Sequence, residues 1–193
     1  MDMITLKAEK RNLEMKAKKL RREGFVTGVL FGKERKETLP LQFDEAEILR
    51  FIKGNGEGTQ VGIELEGEEI PAVVKNLDYD PMKKQVLAID FQELVAGEKI
   101  STTVPIKLEN PESILGVVEQ ELSEIHYKAD PQNLLDPIEI DFSKLSTDVR
   151  EMYVRDLRLT EKKAVQLITP EDALIFKIAD SGKAEDAEER EEE

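Results

Sequence analysis

Residues 25–44 read FVTGVLFGKERKETLPLQFD. Two runs rich in β-branched and aromatic side chains, FVTGVLFG and TLPLQF, flank the charged stretch KERKE, a pattern that predicts two strands joined by a turn. Asp44 then opens the stretch DEAEILRFIKG, where it is placed as an N-cap with Glu47 three residues on. Ile48, Phe51 and Ile52 fall on one side and Gly54 follows as a stop, which predicts a short helix.

Upstream of this hairpin the chain reads RNLEMKAKKLRREG from Arg11 to Gly24. Asn12 is an N-cap residue type, Glu14 suits a first helical turn, basic residues crowd the last turn, and Gly24 suits a left-handed stop. The spacing predicts a helix with Leu13, Ala17 and Leu20 as a narrow apolar stripe, leaving the cations on the rest of the circumference. Before it, Met3 to Lys10 alternates weakly and predicts a strand.

Downstream, TQVGIELEG alternates at Val61, Ile63 and Leu65; EIPAVVKNL, a turn at Asp80-Pro81, and QVLAIDFQEL supply further strands. The first half is thus a strand-rich α+β unit with two short helices. AGEK, at 96–99, marks a boundary. Beyond it ISTTVPIKLE, VVEQELSEIHYKA, IEIDFSKL, MYVRDLRL and ALIFKIA predict a mainly β second half. The chain closes on AEDAEEREEE, seven acids and one Arg, too charged to pack and expected to be disordered. The expected division is a domain at 1–94, a β-rich domain at 95–180 and an acidic tail at 181–193.

At 193 residues with 39% hydrophobic and 5% aromatic content and no Trp, two half-size domains with aliphatic cores fit the composition. The lack of Cys excludes disulfides and thiolate metal sites. No signal-peptide pattern opens the chain and no run reaches the roughly 18 apolar residues of a membrane span, so a cytoplasmic protein is expected.

Several superficial motifs carry no chemistry. GNGEGT, at 54–59, follows a predicted helix and precedes a strand, the reverse of a phosphate-binding glycine loop, and Gly32-Lys33 lacks the other elements of a P-loop. His126, the single histidine, sits in an alternating segment without a nearby nucleophile. Asp78 and Asp80 lack calcium-loop spacing and read as turn residues. No catalytic residues, no metal site and no cofactor are expected.

The charge is distributed unevenly. The formal net charge is -14, yet residues 1–40 hold 11 Lys/Arg against 6 acids, a net of +5 that leaves -19 for the rest. Within MKAKKLRR five cations stand without an acid. A solvated helix face is the plain reading, but the uncompensated repulsion points to an anionic partner, and a nucleic-acid backbone is the obvious one.

The ordered succession Arg11, KKLRREG, a strand ending VLFG, VVKNLDYDP, AIDF and EKISTTVPIKL resembles the bacterial ribosomal protein family that binds 5S rRNA, the twenty-fifth large-subunit protein. IHYKADPQNLLDPIEIDFSKL followed by YVRDLRL is similar to the C-terminal domain of the family's long, Ctc or general stress form. The resemblance implies a closed six-stranded β-barrel with short helices docked on 5S rRNA in the large ribosomal subunit, plus a β-rich second domain, in a non-enzymatic, ribosome-associated protein. It implies no membrane and no DNA partner, and it leaves neighbouring ribosomal proteins as candidate partners of the second domain.

By position, Arg11, Arg21 and Arg22 match the family's RNA-contacting arginines and Asp90 its acidic residue. Phe31 stands where the family usually has Tyr, and Ala88 where it has His, both expected RNA contacts. Lys16, Lys18, Lys19, Lys33 and Lys75 join the candidate interface on electrostatic grounds. The alternative function is a stress-related protein-interaction factor on the same scaffold with weakened or lost RNA binding.

Overall fold

A computed structural model describes residues 4–146, 148–162 and 164–179; the acidic tail at 181–193 lies outside them. The described residues divide into two compact units: the first comprises 4–102 and Asp130–Gln132, and the second comprises Thr103–Ala129 and the described residues of 133–179.

The first unit is a six-stranded closed barrel. Its strands are β1 (Ile4–Lys10), β2 (Phe25–Phe31), β3 (Leu39–Asp44), β4 (Gln60–Leu65), β5 (Glu68–Asp80) and β6 (Gln85–Glu93), in the order β1-β3-β2-β6-β5-β4. Two pairings are parallel, β1 with β4 and β2 with β6, and the others are antiparallel. Closure leaves no free sheet edge. Inward residues of every strand build an aliphatic core, among them Leu6, Val26, Leu30, Leu41, Val61, Ile63, Val74 and Ile89, with Phe43 and Phe91 in tilted contact at 5.2 Å.

Helix α1 (Ala17–Arg22) and helix α2 (Glu45–Phe51) flank the barrel. In α2 the Asp44 side chain accepts the Glu47 amide at 3.0 Å, as its position predicts, while the Glu47 carboxylate turns to the Lys7 amide of β1 at 3.1 Å. The expected start of α1 is corrected. Asn12 Oδ1 accepts the Glu14 amide at 2.9 Å in a local turn, so helix begins only at Ala17, and Leu13 is 73% exposed instead of lying on the apolar stripe. Leu20 alone of that stripe is buried. Gly24 ends the segment with φ +86°, the left-handed stop expected of it.

The second unit holds two small sheets. β7 (Ile100–Glu109), β9 (Glu124–Ala129), β10 (Ile138–Asp141) and β12 (Gln166–Leu167) form one in the order β10-β7-β9-β12; β8 (Val117–Gln120), β11 (Glu151–Tyr153) and β13 (Leu174–Ala179) form the other in the order β11-β13-β8. A four-residue helix, α3 (Leu159–Lys162), precedes β12. The predicted strand VVEQELSEIHYKA is two strands in different sheets: the Glu121 and Leu122 amides both donate to Ile175 O, at 2.9 and 3.2 Å, which turns the chain between them. Phe142 meets Phe176 edge-on at 4.8 Å, and the buried Tyr127 hydroxyl accepts the Leu135 amide at 2.9 Å. Burial pushes the Tyr127 phenol above its ordinary pKa.

A knot of polar contacts gathers on Asp141. Its carboxylate takes Lys144 Nζ at 2.8 Å, Ser143 Oγ at 2.6 Å and Asn110 Nδ2 at 2.8 Å, and these donors, Lys144 foremost, hold its pKa well below the usual carboxylate range. A folded-state pKa below the unfolded one stabilises above the unfolded value, near 3.9, and that contribution disappears as pH falls through the folded value. Asp141→Asn is therefore expected to lower the melting temperature at pH 7, and by a smaller margin at about pH 3, where part of the contribution is already lost. Thermal unfolding at the two pH values checks this; equal melting temperatures at pH 7 would contradict it.

Candidate nucleic-acid interface

Outward residues of β3, β2, β6 and β5 line up in cross-strand rows. One row is Pro40, Val29, Asp90 and Asn76; the next is Gln42, Thr27, Ala88 and Asp78, of which Thr27 is buried; Phe31 and Gln92 face each other beyond the first. Their neighbours Leu30, Ile89 and Phe91 are fully buried, which fixes this face of the strands as the outer one. Asp90 is held by Asn76, whose Nδ2 donates to Oδ2 at 3.3 Å. The structure thus brings Phe31, Ala88 and Asp90 onto one surface.

Helix α1 packs on β2 through Leu20 and is pinned by Arg21, whose Nη1 donates to Leu87 O at 3.2 Å beside the Thr27 hydroxyl on the same carbonyl at 3.3 Å. Arg21 is half-buried in consequence. Lys16, Lys18 and Arg22 are exposed and have no acidic partner within 4.0 Å among the described residues; Lys19 makes only a loose 3.9 Å contact with Glu23. Glu14 does not pair with Lys18, because it lies in the turn before the helix. Lys19, Arg21 and Arg22 occupy the last turn, where the helix dipole favours them.

The remaining predicted residues are dispersed. Arg11 extends the line of β1, its amide donating to Pro40 O at 3.1 Å, and its Nε is buried without a hydrogen-bond partner. Lys33 is exposed in the β2–β3 turn, at the end of β2 away from α1. Lys75 sits at a bulge where the β5–β6 register shifts between Val74 and Asn76, and its ammonium donates to Ser101 O. The structure therefore does not bring Lys75 to the basic helix. Gln42, Asn76 and Gln92, absent from the sequence reading, join the outer rows; the period-two step from Ala88 through Asp90 could have pointed to Gln92, but the bulge hides Asn76.

Of the motifs set aside in the sequence, residues 54–59 are a connection and Asp80 shapes a turn, but Asp78, expected in that turn, lies in β5 opposite Ala88. Residues 54–59 link α2 to β4, with the Gly56 amide on Thr59 Oγ1 at 3.2 Å. His126 is exposed on β9, 3.3 Å from Glu124. Among the described residues no cluster of three or more His, Asp or Glu could hold a metal ion, and no helix is long and apolar enough to cross a membrane.

Two family models match the chain: residues 6–91 match the ribosomal L25p family, and residues 99–181 match the C-terminal domain of ribosomal protein TL5. A protein named large ribosomal subunit protein bL25 from Halothermothrix orenii is 33% identical, covering 97% of this chain and 87% of the relative. The proteins of that name from Thermoanaerobacter sp. (strain X514) and Bacillus velezensis are 27% and 32% identical, covering 92% and 74% of this chain and 89% and 73% of their own lengths. With the barrel, the β-rich second unit and the matches all in register along the sequence, the chain belongs to the ribosomal L25p family, in its long two-domain form.

Proposed function

We propose that this chain is a structural protein of the large ribosomal subunit that binds 5S rRNA through α1 and the outer face of the β3-β2-β6-β5 strands. The observation that carries the reading is α1 with its N-cap Lys16: Lys16, Lys18 and Arg22 are exposed without an acidic partner among the described residues, while Arg21 anchors the helix to the barrel. Cations held together in this way repel one another until an anion neutralises them. The wide, shallow minor groove of an RNA duplex accepts such a surface, with phosphates on the helix and polar rows such as Gln42, Asn76 and Gln92 on the 2'-hydroxyls and base edges. The family membership and the names of the relatives support the same reading. Residues 1–94 act as the RNA-binding domain and 95–180 as the second domain. The test is sedimentation of the full chain with purified large and small subunits from cells lacking it: recovery with large subunits alone supports the reading, and equal distribution overturns it.

The outer face also carries Val29, Phe31, Pro40 and Ala88, an apolar strip that favours, as the second reading, a protein-interaction factor of stressed cells with weakened RNA contact. The two readings part on a gain-of-function variant. Phe31→Tyr with Ala88→His supplies two hydrogen-bonding groups, each worth about 0.5–1.5 kcal/mol net, so affinity for a 5S rRNA fragment should rise about tenfold. Asp78 faces position 88 across the strands and raises the pKa of a histidine there, so the gain should grow as pH falls through and somewhat above 6.5. A double variant that binds RNA no better than the native chain favours the protein-interaction reading.

A further inference from the structure

The β5–β6 hairpin closes through a tip, residues 79–84, that is held by its own hydrogen bonds. Asp80 Oδ1 accepts the amides of Met82 at 3.0 Å and Lys83 at 3.1 Å, and its Oδ2 takes Lys83 Nζ at 2.9 Å. These donors, the Lys83 ammonium first, hold the Asp80 carboxyl below its ordinary pKa. Lys84 completes the turn in the left-handed region at φ +51°. The turn leaves Met82 92% exposed and Tyr79 39% exposed, with Pro81 also at the surface. Apolar surface fixed outward by its own turn, instead of folded back, marks a contact site.

The tip lies at the α1 end of the barrel. Gln85, the first residue of β6, donates to Glu45 Oε1 at 3.4 Å, and the Glu45 amide donates at 2.8 Å to the carbonyl of Gly24, immediately after α1. Two residues further along β6, Leu87 O holds Arg21. The start of β6 and the end of the basic helix are thus laced together. Lys84 is exposed and has no acidic partner among the described residues, whereas Asp80 neutralises Lys83.

We propose that this tip is a second RNA-contacting element, in which Tyr79 and Met82 pack on an unpaired nucleotide and Lys84 takes one phosphate beside the duplex that α1 holds. An aromatic face, a polarisable thioether and a single free cation on a rigid turn form a stacking platform, which suits a splayed base and not a paired one. RNA is the occupant because the Gln85–Glu45 and Glu45–Gly24 hydrogen bonds set the tip at the end of the barrel where α1 finishes, and Lys84 there offers a cation without an acidic partner among the described residues. The inference rests on the 5S rRNA reading above and extends that interface beyond the helix and the outer rows.

The experiment is a titration of full-length protein against 5S rRNA over a range of salt, with hydroxyl-radical protection of the RNA. Tyr79→Ala and Met82→Ala, both at exposed positions whose folding is checked by thermal unfolding, should each weaken binding about tenfold without changing the salt slope. Lys84→Ala should make the slope shallower by about one. Protection should vanish at unpaired nucleotides only. If all three variants bind within twofold of the native chain while a charge-reversed α1 is defective, the tip does not touch RNA and the 5S reading stands. If they bind free 5S rRNA normally but no longer co-sediment with large subunits, the tip docks on another component, which also overturns the inference. A native chain that shows no salt-dependent binding to 5S rRNA would sink the underlying reading and this extension with it.

Discussion

Reversing the charge at Lys16, Lys18 and Arg22 together is expected to leave the barrel folded and to lower affinity for 5S rRNA by about two orders of magnitude or more. The three side chains are exposed and have no acidic partner among the described residues, and the buried residue of α1 is Leu20. Arg21 is deliberately spared. The basic run alone presents it as one more phosphate contact, but its guanidinium holds α1 to Leu87 O, so replacing it confounds loss of RNA contact with loss of helix docking. Each lost phosphate contact removes about one unit of salt slope, and a reversed charge adds repulsion to the loss. Fluorescence titration against 5S rRNA, beside a circular dichroism melt, checks both halves of the expectation. A folded triple variant that binds within threefold of the native chain would contradict the role of α1.

The second large effect lies in the barrel. Gly28, in the middle of β2, pairs with Ile89 of β6. A Cβ added there would stand 2.0 Å from Ile89 O and 3.3 Å from a ring carbon of Phe43. Neither neighbour can give way cheaply: the carbonyl belongs to a paired strand and the ring is packed against Phe91. Gly28→Ala should force β2 away from β6 and destabilise the barrel by about 3 kcal/mol, a fall of roughly 15 °C in melting temperature. Gly54→Ala is the matched control, because its Cβ would meet nothing within 4 Å, and its change should be small. A Gly28→Ala variant that melts with the control would show that β2 and β6 are not paired as described.

Local patterns carried much of this fold and long-range pairings carried the rest. The alternations around Val61 to Leu65 and Gln85 to Glu93, the Asp44 cap and the Gly24 stop were all readable, because each depends on neighbours in sequence. Closure of the barrel depends on β1 meeting β4 and β2 meeting β6 in parallel, pairings that no periodicity reveals; only the family resemblance implied them. Asn12 misled because the same side chain that caps helices also closes local turns, and here it takes the Glu14 amide. MYVRDLRL was shortened for a similar reason: the Asp156 carboxylate accepts the Tyr153 amide at 2.8 Å and draws Val154–Leu157 into a 3-10 turn after β11. Gln166–Leu167, as a two-residue strand, is too short to alternate.

The candidate interface was legible in its charges and not in its register. The cations of α1 stand out in composition, and Phe31, Ala88 and Asp90 came from positional resemblance. The bulge at Lys75 shifts the β5 register by one position, so Asn76 and not Lys75 comes to face Asp90. The anchoring role of Arg21 needed the Leu87 carbonyl, 66 positions away in sequence.

Titration of the full chain with 5S rRNA at a series of salt concentrations tests the central claim most directly. With Lys16, Lys18, Lys19 and Arg22 as the phosphate contacts, about four in all, log affinity should fall against log salt with a slope of roughly -3 to -4. A flat dependence, or equal affinity for an unrelated RNA duplex of the same length, would contradict it.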